Sequence, residues 1–150
     1  MTKHIVKSFN LDHTKVKAPF IRLADEIISP SGDIITKLDL RFSQPNKEYM
    51  KMAGMHTLEH LFATYLREGG KYSIVDFSPM GCQTGFYVIM FGKVNLEEFR
   101  NFFLNVLHKV LKTTSIPGTK EKECGNYKSH SLEQAKQYAE NFLNSEIGLL

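Results

Sequence analysis

A chain of 150 residues matches the usual size of one domain and is long enough to bury a hydrophobic core. With 42% hydrophobic and 23% charged residues, it has the make-up of a globular protein rather than a disordered one. The formal charge of +3 is scattered without a basic stripe, which argues against a nucleic-acid binder.

No apolar run approaches the roughly 18 residues that a membrane span needs. The segment from Met1 to Lys7 lacks the apolar stretch of a secretory signal. A cytoplasmic protein is therefore expected, with no membrane partner. In that compartment Cys82 and Cys124, its two cysteines, stay reduced and open to chemical or metal roles.

In chain order, Phe20 to Ile28 and Ile34 to Phe42 flank the turn formers Ser29-Pro30-Ser31-Gly32-Asp33, which predicts a hairpin. In the second strand Ile34, Thr36, Leu38, Leu40 and Phe42 share one face. Lys37, Asp39 and Arg41 share the other, which gives the sheet a polar side. A helix runs through His56 to about Arg67 and stops near Gly69-Gly70. A strand over Tyr72 to Phe77, a turn over Ser78-Pro79-Met80-Gly81-Cys82 and a strand over Phe86 to Phe91 follow.

Phe99, Phe102, Phe103, Val106, Leu107, Val110 and Leu111 then fall at helical spacing on one broad stripe. Asn95 and Glu98 form its N-terminal cap pair. A loop from Thr113 to His130 contains Pro117-Gly118 and Cys124-Gly125. A last helix starts at Ser131, with Gln134 at capping-box spacing. The expected fold is α+β: a single domain with an antiparallel β-sheet covered by amphipathic helices, the Phe-rich one on its apolar face.

His56-Thr57-Leu58-Glu59-His60 is an H-x-x-E-H motif, the inverted zincin signature. Residues four apart on a helix are neighbours, so both imidazoles reach one metal without backbone distortion. Glu59 lies beside them, placed to take a proton. At about 100° per residue, Leu58, Leu61, Phe62 and Tyr65 gather on the opposite side of the helix. The histidine face therefore meets solvent, a cleft or a second subunit.

Two histidines leave a metal under-coordinated, since a catalytic site has three protein ligands and one open position. Cys124 is the favoured third ligand, because it sits in a Gly-bearing loop just before a capped helix. His13, His130, Glu133 and Glu140 compete with it. Cys82, in the sharp turn Gly81-Cys82-Gln83-Thr84-Gly85, is a candidate nucleophile, acid or base.

Several blocks together resemble the S-ribosylhomocysteine lyase (LuxS) family. They are His56 to Ala63, Ser78 to Tyr87, and Cys124-Gly125 with His130-Ser131-Leu132. Shorter matches are Ser8-Phe9, Leu11 to Thr14, Ala18-Pro19, Asp39 to Phe42 and Pro45-Asn46, all in family order along nearly the whole chain. Ser43 stands where many members carry Cys, and the segment between Arg67 and Tyr72 is short.

The resemblance implies a homodimer with its active sites at the interface. It implies one divalent metal per subunit on His56, His60 and Cys124, Fe(II) by preference with Zn(II) or Co(II) as substitutes. Glu59 and Cys82 match the acid–base groups, and Ser8, His13, Arg41 and Asp76 match substrate-binding positions. The implied reaction moves a carbonyl along the ribose of S-ribosylhomocysteine and then eliminates the thioether. The products are homocysteine and 4,5-dihydroxy-2,3-pentanedione, precursor of the quorum-sensing signal autoinducer-2. The alternatives are an inverzincin-type metallopeptidase with Glu133 or Glu140 as third ligand, and a metal-binding regulatory or storage protein.

Overall fold

The structure is a computed structural model that describes residues 3–150, so Met1 and Thr2 of the N-terminal segment lie outside the described residues. Strands β1 (Phe20–Ile28) and β2 (Ile34–Arg41) form the expected antiparallel hairpin. Helix α1 spans Met52–Tyr65, so it begins a full turn before His56. A 3-10 turn at Glu68–Gly70 follows, where Gly69 (φ 76°) and Gly70 (φ 63°) take up left-handed backbone and keep the helix from resuming.

Strand β3 (Ser73–Pro79) runs two residues further than its apolar pattern suggests. Ser78 and Pro79 pair with Tyr87 and Phe86 of β4 (Gly85–Phe91). Proline is tolerated there because β3 is an edge strand. The sheet order is β3-β4-β2-β1-β5, antiparallel except for β5 (Gly148–Leu149), which pairs parallel to Phe20 and Ile21. Two residues carry no periodicity, so β5 has no signature in the sequence.

Helix α2 (Leu96–Lys112) is capped by Asn95, whose side chain accepts from the Glu98 amide. Helix α3 (Leu132–Leu143) is capped by Ser131, which accepts from Gln134. Both local signals in the sequence describe real helix starts. No helix is long and apolar enough to cross a membrane among the described residues.

One contiguous core joins these elements. Leu38 and Leu40 of β2 lie opposite Val88 and Phe86 of β4 on the inner face. The stripe Phe99, Phe103, Val106, Leu107 and Val110 of α2 packs in the same cluster with Leu58, Leu61 and Phe62 of α1 and Phe142 of α3. Phe62 is the hub of an aromatic group, with ring centroids 5.1 to 6.1 Å from Phe42, Phe77, Phe86 and Phe103. Phe62→Ala would empty that hub and is expected to cost about 3–5 kcal/mol of stability. A urea unfolding curve, read as a fall in midpoint at unchanged slope, checks this.

Candidate metal centre

Helix α1 is fixed in rotation by its buried side. Leu58, Leu61 and Phe62 are fully buried in the core, which turns His56, Glu59 and His60 to the opposite, half-buried face. Each imidazole is then oriented by a backbone carbonyl. His56 Nδ1 lies 2.7 Å from the Ser129 carbonyl oxygen and His60 Nδ1 lies 2.8 Å from that of Pro117. A carbonyl only accepts, so both rings carry their proton on Nδ1 and aim a free lone pair from Nε2. This is the arrangement that presents histidine to a metal.

Both carbonyls belong to the segment between α2 and α3, which also carries Cys124. The Cys124 sulfur lies 3.3 Å from His56 Nε2 and 3.8 Å from His60 Nε2. Metal–N bonds of about 2.0–2.1 Å and a metal–S bond of about 2.3 Å, set tetrahedrally, imply N···S separations of roughly 3.5 Å. The observed distances straddle that value. The two rings stand at 82° to each other with centroids 4.7 Å apart, so their lone pairs converge. With His130, four potential ligand atoms lie within 4.8 Å of one another, a cluster able to supply the donors for a divalent metal. The donor set fits such an ion, and binding it would hold Cys124 as a thiolate.

Among the described residues, this group contains none of the other competitors for the third position, namely His13, Glu133 and Glu140. The fourth member, His130, sits with its Nε2 at 3.9 Å from the Cys124 sulfur. Burial, followed by the charges of His56 and His60, pushes its pKa down to about 4. The ring is neutral at pH 7.

Beside the cluster opens a cleft of about 370 Å³ lined by Glu59, His60, Arg67, Asp76, Phe77 and Gly118 among others. Glu59 and Asp76 thus share one cavity with a metal-facing imidazole. The Asp76 carboxylate accepts from Ser78 Oγ.

Cys82, Arg41, Ser8 and His13 do not line this cleft. Cys82 is exposed on the β3–β4 turn, with its sulfur 3.0 Å from Thr84 Oγ1. Thr84 Oγ1 accepts from Arg41 Nη1 at 3.2 Å. Arg41 itself is buried and donates through Nε and Nη2 to both oxygens of Asp39, which Arg22 also contacts. The polar side of β2 is therefore an interior ion network at its Arg41 end, rather than an open surface. Ser8 lies in a 3-10 turn, Lys7–Asn10, tied to β1 by the Lys7–Asp25 ion pair, and His13 Nδ1 bonds the Leu11 carbonyl.

Thr57, Thr84 and Gly118 are site residues that carry no motif of their own. The one available signal was Thr57, a hydroxyl on the buried side of a helix, which demands a partner. Gly118 has φ +70°, and a Cβ there would stand 3.2 Å from His60 Nδ1.

A family model described as S-Ribosylhomocysteinase (LuxS) matches residues 6–149. The S-ribosylhomocysteine lyase of Staphylococcus haemolyticus is 51% identical over 144 residues, 96% of this chain and 92% of that one. That of Helicobacter acinonychis is 48% identical over 153 residues, covering 99% and 97%. That of Staphylococcus aureus is 52% identical over 144 residues, again 96% and 92%.

Gly118→Ala should disturb the His60–Pro117 bond and weaken metal affinity by about 10–100-fold, the usual cost of losing such support. Titration against a chromogenic chelator checks this. Gly125→Ala, where a Cβ meets nothing within 4 Å, serves as the control that leaves affinity unchanged.

Proposed function

Because the chain belongs to the S-ribosylhomocysteine lyase (LuxS) family, we propose that it splits S-ribosylhomocysteine into homocysteine and 4,5-dihydroxy-2,3-pentanedione, the autoinducer-2 precursor. The observation that carries this reading is the convergence of His56, His60 and Cys124 beside a cleft that contains Glu59. The three hold the metal, with Fe(II) the expected ion and Zn(II) or Co(II) accepted by the same mixed donor set.

A bound divalent metal supplies Lewis acidity to the sugar carbonyl. Everything else falls to the side chains. Moving the carbonyl from C1 to C2 and then to C3 requires a proton to leave one carbon and return to its neighbour at each shift. Glu59 and Cys82 are the groups that carry those protons. Once the carbonyl is at C3, Glu59 takes the proton from C4. The electrons form the C4–C5 double bond, the C5–S bond breaks, and homocysteine leaves as its thiolate to be protonated. The enol left behind tautomerises to the dione.

Asp76, in the same cleft as Glu59, binds the substrate. Arg41 acts from behind the Thr84 hydroxyl that touches Cys82. Ser8 and His13 bind substrate from the N-terminal segment. Because they, like Cys82, lie away from the cleft of their own chain, we assign all three to the site of a second copy, in a homodimer with active sites at the interface. A cytoplasmic setting suits the free thiols of Cys82 and Cys124.

Metal-loaded protein given S-ribosylhomocysteine should release one free thiol per substrate consumed, read with a thiol reagent. No thiol release from fully loaded protein would refute the assignment. Cys82→Ala and Glu59→Gln should each keep the metal and lose about 10²–10⁴-fold in turnover, the scale of general acid–base catalysis. Cys124→Ala should instead fail to retain metal. Stoichiometric metal in that variant removes Cys124 from the ligand set.

A further inference from the structure

Three nitrogen donors face the Cys124 sulfur, and the third, His130 Nε2, stands as close as a ligand would (3.9 Å, against 3.8 Å for His60). Distance alone therefore does not separate a fourth ligand from a neighbour. Two other observations do.

The first is ring orientation. An imidazole lone pair lies in the ring plane, so a shared metal must lie in the planes of all its imidazole ligands. The His56 and His130 rings are stacked, with centroids 3.9 Å apart and planes inclined by 24°. Such planes meet roughly 9 Å away, whereas a metal bound to either ring would sit about 2.0–2.1 Å from its nitrogen. One ion cannot lie in both planes. The His56 and His60 rings, at 82°, do not have this conflict.

The second is the proton count at Thr57. This residue is fully buried, and its hydroxyl accepts from the Ser131 amide at 2.9 Å. Its only other partner among the described residues is His130 Nδ1 at 3.1 Å. Were Nδ1 to carry the ring proton, the hydroxyl would accept twice and its own proton would be orphaned in the interior, at a cost of about 1–3 kcal/mol. With the hydroxyl donating to Nδ1, every group is satisfied. The His130 proton is then on Nε2, the atom that faces sulfur.

We propose that His130 is a positioning residue that donates its Nε2–H to the Cys124 sulfur, held in that tautomer by Thr57, and so leaves the fourth metal position to substrate. The inference rests on the metal site assigned above. Wild-type protein that binds no cobalt would fail that reading, whereas this one is decided by the variants once the wild type is shown to bind it. A hydrogen bond to a metal-bound sulfur lowers its donor energy. Losing it moves the sulfur-to-metal charge-transfer band to longer wavelength.

The test loads wild type, His130→Phe, His130→Gln and Thr57→Val with Co(II). It reads cobalt per chain, affinity against a competing chelator, and the near-ultraviolet charge-transfer band. His130→Phe, which keeps the stack on His56 but has no donor, should retain one cobalt per chain. Its affinity should fall by about 10–100-fold and its band should shift to longer wavelength. His130→Gln, which keeps an N–H near the same place, should recover most of both. Thr57→Val, which removes the donor to Nδ1, should move the band in the same direction as His130→Phe. If His130→Phe does not fold, judged by its near-ultraviolet dichroism, the Gln and Val variants decide. Loss of bound cobalt in any folded His130 variant would make His130 a ligand and overturn the proposal. An unchanged band and affinity in both His130→Phe and Thr57→Val would overturn it equally, as would a wild-type-like band in Thr57→Val alone.

Discussion

Two N–H···O=C bonds, from His56 to Ser129 and from His60 to Pro117, hold the site together, because little else secures the segment that closes it. Between residues 113 and 131 no side chain is buried, so the hydrophobic effect that fastens the helices contributes almost nothing here. Polar links to α1 replace it: these two bonds, the Thr57 hydroxyl on the Ser131 amide, and the Tyr65 hydroxyl on Thr113. Each is worth only about 0.5–1.5 kcal/mol net. A metal bridging α1 to Cys124 would add binding free energy to the same closure. Order in the segment and occupancy of the site are therefore one equilibrium.

That closure requires α1 to be immobile, and its immobility comes from the core. Phe62 and Leu61 on one side anchor it among the aromatic rings of the sheet and α2, while His56, Glu59 and His60 face the other way. The same helix is the reference point for Cys82. The Met50 amide donates to the Gln83 carbonyl, and Gln83 Nε2 donates back to the Met50 carbonyl. This pair of bonds fastens the Cys82 turn to the chain just before α1. Gln83 holds φ 62° to make them, a conformation that costs a non-glycine residue energy and persists only where its surroundings fix it.

The parts of this structure that were legible in the sequence are those set by local spacing. The cap pairs at Asn95 and Ser131, the stripe on α2 and the i, i+4 histidines each depend on residues within a turn or two, and all appear in place. What depends on register or on long-range closure was not. Arg41 reads as one charge on a polar strand face. Only the cross-strand pairing of Arg22 with Asp39 shows that two guanidiniums share one buried carboxylate. Cys124 is 64 residues from His60, and local sequence made it the favoured third ligand without excluding His13, His130, Glu133 and Glu140. It took the family blocks, and then the coordinates, to bring its sulfur to the imidazoles.

The groups that orient the metal-facing imidazoles are backbone carbonyls, and this bears on which substitutions the site tolerates. A side chain at position 129 can change without removing the oxygen that His56 needs. What the sequence must specify is the path of the chain. Pro117 fixes φ and the following Gly118 turns through left-handed backbone, and together they deliver one carbonyl to His60. Ser131 caps α3 and sets where residue 129 lies relative to α1. The information that positions the site is thus carried by turn and cap residues that have no chemistry of their own, whereas two of the ligands, His56 and His60, show openly in the motif. A variant with every ligand intact but the 117–118 turn rebuilt would keep the donor atoms and lose their common focus.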